Sequence, residues 1–290
     1  MPVCQMPFMI TNEISEEEKT AWHNARLAEV KAGTYKGKEI TPDFEPIKGW
    51  KPFEDIEGSS AAIISYANQH KGLGIYPGDY IKTTVDGDAY KFIIVKTNFS
   101  FYPHDYSSVL LIADHHTDTK VSAKTWRVGS GCDYKYSYIH KECEKFYSKL
   151  PWGIRKYVHE ESVPYLNKFY RDDKANWELE YVATNVFIPS WVELCHDDGF
   201  ARTNVPENKY PNQFVKWPTA FSKSLSDLNA YKNCWLRDLY LASSLGEDEA
   251  SLYALYVYTN NGSDHNDFYL STSSIYAEGE KYIIPCFCIG

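Results

Sequence analysis

The chain has 290 residues, 43% hydrophobic and 24% charged, which is a globular composition rather than a disordered one. Its formal net charge of -9 argues against a nucleic-acid partner, and no apolar run reaches the length of a membrane span, so membrane insertion is not expected. Met1 to Phe8 is apolar but short and lacks a basic flank, so it does not read as a signal peptide, and synthesis in a cytoplasm is expected. Seven cysteines without repeated spacing read as free buried thiols rather than a disulfide framework. The 24 Tyr and 8 Trp suit a binding surface, because Tyr combines a flat apolar ring with a polar tip; Tyr-rich cores and oligomer contacts give the same count.

In chain order, residues 12–32 predict one amphipathic helix. Ser15 and Glu18 have capping-box spacing, and Glu16 to Glu18 suit a helix N-terminus. Ala21, Trp22, Ala25, Leu27 and Ala28 supply the expected apolar stripe, and Gly33 the stop. Thr34 to Ser60 carries Pro42, Pro46 and Pro52 with several glycines. It reads as an extended arm or a packed irregular segment, serving as a linker or docking on a neighbouring subunit. Residues 1–60 are therefore expected to form an attachment or oligomerisation region, and 61–290 the compact domain.

Ala61 to His70 predicts a short helix, and Pro77-Gly78-Asp79 a turn. Tyr80–Thr84 and Ala89–Lys96 predict strands joined at Asp86-Gly87, a hairpin signal. Val109–Ala113 is a further buried strand, followed by Asp114-His115-His116. Residues 120–180 read as mostly helical and irregular. Within them, Ile139, Cys143, Phe146, Tyr147 and Leu150 stand at helical spacing, and Pro151 closes that helix. Val186–Ile188 predicts a strand ending at Pro189-Ser190, and Trp191 to Leu194 a turn or short helix. Further strands are predicted at Asn233–Asp238, Leu252–Tyr258, Asp267–Ser271 and Lys281–Ile289, with a hairpin turn at Asn261-Gly262. Strands at both ends around helices in the middle give an α+β fold.

No Gly-x-Ser-x-Gly elbow, Walker loop, His-Glu-x-x-His or paired Cys-x-x-Cys occurs, so no catalytic residues are assigned and an enzyme is not expected. The many carboxylates leave a glycosidase pair open. His115 and His116 lie with Asp114 and Asp118, but adjacent residues of a strand point to opposite faces. A hydrogen-bonding role is expected, with no metal or other cofactor. Cys286 and Cys288 share a face of an apolar strand, stand too close along it for an ordinary disulfide, and read as core. Trp235 and Arg237 share a strand face, with Leu236 on the other. If Arg237 is buried it needs a carboxylate or carbonyl partner. The best surface candidate is the stretch from Tyr253 to Tyr276. Its Tyr256, Tyr258, Asn260, Asn261, Asp264, His265, Asn266 and Tyr269 have the composition of adaptable binding loops. Asp264, Asn266 and Asp267 could offer oxygens to calcium, but no full oxygen cage is visible. A polar hairpin with alternating exposed faces gives the same composition.

Six pieces fall in a recognisable order: Gly78-Asp79-Tyr80; Ile112 to His116; Ile188-Pro189-Ser190-Trp191-Val192-Glu193; Trp235-Leu236-Arg237-Asp238; Tyr256 to Gly262; and Ile284-Pro285-Cys286-Phe287-Cys288-Ile289-Gly290. This order resembles a domain-of-unknown-function family common in phages and prophages of Firmicutes. The family has Leu-Pro-Ser-x-x-Glu, Trp-Leu-Arg-Ser/Asp and a last strand beginning Arg-Pro. The likeness covers residues 75–290, and Ile284 departs from it where the family usually has Arg. The family in turn looks like the C-type-lectin-like superfold of phage tropism determinants, in which the terminal strands pair and loops of the last third form a variable face.

The resemblance implies a C-type-lectin-like domain preceded by a helix and arm, with His115, His116, Pro189, Glu193, Trp235, Arg237 and Pro285 as its structural motif. It implies a virion-associated protein of the tail tip, fibre or head surface. Such a protein would be a homo-oligomer held to other virion proteins through the arm and would bind a host-surface glycan or protein. A purely structural virion component and a cell-wall-active enzyme are the alternatives.

Overall fold

The structure is a computed structural model that describes residues 14–47, 50, 53, 59–70, 74–101, 108–123, 134–171, 174–190, 193, 233–241, 252–259, 268–274 and 280–290. It mixes helices and antiparallel sheet, an α+β architecture.

Helix α1 (Glu16–Ala32) opens on the capping box: Ser15 Oγ accepts from the Glu18 N–H at 3.2 Å, and the Glu18 carboxylate accepts from the Ser15 N–H at 2.9 Å. Gly33, at φ 71°, closes it in the left-handed conformation. The expected apolar stripe is largely turned outward, since Ala21, Ala25, Leu27 and Ala28 are exposed. The packed face is instead Trp22, His23, Arg26 and Val30, also at helical spacing. Alanine offers little area to bury, whereas the Trp22 ring meets the edge of Tyr76 at 5.6 Å between centroids, so the aromatic decides how the helix is rolled.

The segment expected as an arm packs onto the domain. The Tyr80 N–H donates to the Lys38 carbonyl at 2.9 Å, and the Ile40 N–H to the Tyr80 carbonyl at 2.7 Å. Ile40, Phe44 and Phe53 are buried in the same apolar cluster as residues after 60. That core therefore crosses the predicted boundary at residue 60. Of the two readings of this segment, the packed irregular one describes Lys38, Ile40, Phe44 and Phe53. At Gly37 a Cβ would stand 1.6 Å from the Gly78 carbonyl oxygen, an approach only glycine permits.

Helix α2 (Ser60–Gln69) packs on the central sheet. Strands β1 (Tyr80–Val85) and β2 (Asp88–Phe99) are joined by Asp86 and Gly87, both at positive φ (54° and 99°), as a two-residue hairpin turn requires. Next come β3 (Ser108–Ala113), the short β4 (Val121–Ser122), α3 (Tyr138–Lys149), α4 (Trp152–Arg155) and β5 (Val158–His159). A hairpin of β6 (Glu161–Arg171) and β7 (Lys174–Thr184) follows, paired from Glu161↔Thr184 to Arg171↔Lys174. This ribbon corrects the mostly helical reading of residues 120–180, which among the described residues holds for α3, α4 and a 3-10 turn at Tyr134–Tyr136.

The remaining strands are β8 (Val186–Phe187), β9 (Trp235–Leu241), β10 (Leu252–Thr259), β11 (Phe268–Ser274), β12 (Glu280–Lys281) and β13 (Cys286–Ile289). The central sheet runs β1-β2-β3-β13-β5, with β8 also on β13. Its middle strands β3 and β13 are buried at every position. Among the described residues β1 lies at one edge of this order and does not pair with β13, which is hydrogen-bonded to β3, β5 and β8. Strands β9, β10 and β11 form a separate sheet with β10 in the middle.

Candidate functional site

The root of the three-stranded sheet is a buried polar knot. Ser190 and Glu193 make a second capping arrangement: the Glu193 N–H donates to Ser190 Oγ at 3.2 Å, and the Ser190 N–H to Glu193 Oε2 at 2.8 Å. The other carboxylate oxygen, Oε1, accepts from Arg237 Nη2. Arg237 also donates from Nε to the Pro164 carbonyl at 2.8 Å and from Nη1 to the Ile188 carbonyl. Its backbone N–H reaches the Pro189 carbonyl at 3.0 Å, and its guanidinium lies against the rings of Phe101 and Phe187. Both charged side chains are fully removed from solvent, a position tolerable only because each is paired and hydrogen-bonded. Thus Pro189 and Glu193 form one structural unit with Arg237, 44 residues beyond Glu193, tying β6, β8 and β9 together.

Trp235 completes the root. Its Nε1 donates to the Val121 carbonyl at 2.7 Å, and its backbone N–H to the Tyr282 carbonyl at 2.9 Å. Leu236 is buried as well, so both faces of β9 are covered here.

The histidine pair does not converge on a point. His115 Nδ1 is 2.7 Å from Asp114 Oδ1, and its ring stacks on Tyr90 at 4.4 Å. His116 Nδ1 is 2.8 Å from the Thr117 carbonyl, a contact in which Nδ1 donates, and its ring stacks on Tyr282 at 3.9 Å. The Pro285 carbonyl accepts from the Ala113 N–H at 2.9 Å, carrying the β3 ladder past the end of β13. Cys286 and Cys288 are wholly buried, and burial pushes both thiols well above the usual range, so neither is a ready nucleophile. Among the described residues, no group of three or more His, Cys, Asp or Glu is arranged to hold a metal ion.

Of the predicted ligand-binding residues, Tyr256 and Tyr258 lie on β10 and Tyr269 on β11. The register sets Tyr258 opposite Tyr269, and Tyr256 opposite Ser271 on one side and Trp235 on the other. Tyr256 stands level with Trp235, and the Tyr258/Tyr269 pair lies one step beyond it. Asn260, Asn261, Asp264, His265 and Asn266, with the predicted Asn261-Gly262 turn, lie outside the described residues. Pairing of Thr259 with Phe268 leaves residues 260–267 to connect the strands.

A second polar centre was not anticipated. Asp79 is fully buried at the turn that opens β1. Its Oδ1 accepts from the Tyr35 hydroxyl at 2.6 Å and the Lys38 N–H at 2.8 Å, and its Oδ2 from the Tyr76 N–H at 2.8 Å. The Tyr76 hydroxyl in turn lies 2.6 Å from His23 Nδ1 on α1. Burial raises the Asp79 carboxyl to about 6, against the lowering pull of its three donors. Asp79 thus holds the segment after α1 against the sheet. The sequence signal for it was Gly78-Asp79, readable as a turn and as the first of the six ordered pieces, but not as a buried carboxylate.

Comparison of the chain with protein-family models, with curated proteins and with solved structures found no match in any of the three.

Proposed function

We propose that the chain is a bacteriophage virion-associated protein that binds a host-surface glycan or protein through the β10–β11 hairpin, on a scaffold of C-type-lectin-like type. The order of the six sequence motifs supports the phage and lectin-like parts of this reading. One observation supports the binding part: Tyr258 stands directly opposite Tyr269 on a hairpin whose neighbour, β9, is locked into the core by Trp235 and Arg237. Tyrosines in register across a hairpin bring flat rings and hydroxyls that lose little freedom on binding, and the residues between the strands add amide and imidazole donors. Each such hydrogen bond adds only about 1 kcal/mol net, so useful affinity needs many copies, as a homo-oligomer or particle supplies.

Attachment to other virion proteins is assigned to α1, whose outward face presents Leu27 at 44% exposure beside exposed Ala21, Ala25 and Ala28. The reading is tested by changing Tyr258, His265 and Tyr269 together to Ala and measuring folding, incorporation into particles and adsorption to host cells. The expected result is a folded, incorporated protein whose particles adsorb poorly. Adsorption equal to wild type would leave the purely structural role in its place, and turnover of cell-wall polymer by the wild-type protein would favour an enzyme.

A further inference from the structure

The α3–α4 corner differs from the rest of the molecule in charge and in what it exposes. Between Lys135 and Lys156 stand six cations and two carboxylates, in a chain of net charge -9. Lys145 is paired with Glu142, and Lys149 with Asp86. Arg155 and Lys156 have no carboxylate partner among the described residues. Beside them Trp152 is 68% exposed, more than any other large hydrophobic residue among those described. Its backbone is nevertheless held firmly. The Ile154 and Arg155 N–H groups both donate to the Pro151 carbonyl at 2.9 Å, and Ser59 Oγ donates to the Gly153 carbonyl at 2.7 Å. Arg155 Nη1 donates to the Ser148 carbonyl at 2.7 Å, which holds the guanidinium 5.8 Å from the indole centroid. The Lys156 ammonium sits 4.7 Å from the Tyr157 ring centroid.

We propose that Trp152, Arg155 and Lys156 form a binding site for an anionic saccharide, separate from the β10–β11 hairpin and independent of its role. The exposed indole takes the apolar face of a sugar ring, and the Arg155 and Lys156 cations take the charged substituent. A protein partner fits less well, because the neighbouring Leu150 and Ile154 are buried and one indole falls far short of the apolar centre that protein interfaces need. Single-stranded nucleic acid also combines stacking with cations, but it is held by a basic groove that follows the backbone over several nucleotides with successive aromatic platforms, and one indole beside two cations does not supply that.

The test uses the full chain with dextran sulfate, neutral dextran and an oligothymidylate, at low and moderate salt, for wild type, Trp152→Ala, Trp152→Phe and Arg155→Ala/Lys156→Ala. The expected result is salt-dependent binding of dextran sulfate, with neutral dextran far weaker. Trp152→Ala should weaken it by about tenfold, roughly the loss of one good aromatic contact, and Trp152→Phe by less. The double variant should lose most of the salt dependence. Unchanged melting in all variants is expected, because these side chains lie at the surface. Failure of the wild type to bind dextran sulfate, equal binding by Trp152→Ala, equal affinity for neutral dextran, or tighter binding of the oligothymidylate would each overturn the proposal.

Discussion

Replacing Arg237 with Met keeps most of the side chain's length and removes its charge and donors. Three acceptors then lose their partners at once: the Pro164 and Ile188 carbonyls and Glu193 Oε1. The carbonyls are neutral and each costs about 1–3 kcal/mol if left without a donor. Glu193 is the more serious case, because the pair has no solvent exposure to screen a stranded carboxylate. Breaking such a pair from one side typically costs about 3–5 kcal/mol, against about 0–1 kcal/mol for a surface pair and about 5–15 kcal/mol for the stability of a whole domain. Arg237→Met is therefore expected to lose about 3–5 kcal/mol in urea denaturation followed by circular dichroism. Adding Glu193→Gln removes the stranded charge while leaving an oxygen to accept from the Ser190 N–H, so the double variant should be more stable than Arg237→Met alone. A loss below about 1 kcal/mol for the single variant, the range of exposed pairs, would refute the view that this pair bears on the stability of the sheet root. A double variant worse than the single would refute the charge-burial explanation of it.

Trp235→Ala should lose about 3–5 kcal/mol by the same assay, because it empties a buried site and frees the Val121 carbonyl. Gly37→Ala should be strongly destabilising, since its Cβ would overlap the Gly78 carbonyl; a melting temperature equal to wild type would show that the segment does not pack as described. Removing residues 1–60 should yield a chain that fails to give a cooperative melt, because Ile40, Phe44 and Phe53 belong to the core. Asp79 has a folded value of about 6, above its ordinary 3.8, so the fold favours its protonated form. Its contribution to stability is full below the ordinary value and is lost as pH rises through about 6, and Asp79→Asn should flatten the change in stability between pH 4 and pH 7 relative to wild type.

What could be read from the sequence depended on how local the cause was. The α1 capping box, the Asp86-Gly87 turn and the α3 stripe of Ile139, Cys143 and Phe146 are set by neighbours in the chain, and they were legible. The roll of α1 was not, because it is decided by the distant Tyr76. The β6–β7 ribbon was missed although Trp177, Leu179 and Tyr181 alternate with Asn176, Glu178 and Glu180 after Asp172-Asp173, the period of a strand; on β6 the pattern is hidden by Pro164 between Val163 and Tyr165 and by Leu166 after them. At the site, Arg237 was known to need a partner, but Glu193 stands 44 residues away and only the fold could join them. The Ser190-x-x-Glu193 spacing was a capping signal in plain view, read only as a motif. For the tyrosines, the strand was legible but the level of Tyr256 with Trp235 was not, because it depends on the irregular register between β9 and β10.

The middle position of β13 also bears on how the chain reaches its native state. Its Cys286 lies opposite Ile112 of β3, 174 residues earlier. Loop closure over such a span is entropically costly and slows folding. Until β13 arrives, one side of β3, buried at every position in the native sheet, has no strand partner from it, and the β1–β2–β3 meander must wait as a partly assembled sheet with a hydrophobic open edge. Such an edge is a template for pairing with other chains. During refolding, the proportion of soluble product should therefore fall as protein concentration rises, and β3 should be the segment through which stalled chains aggregate.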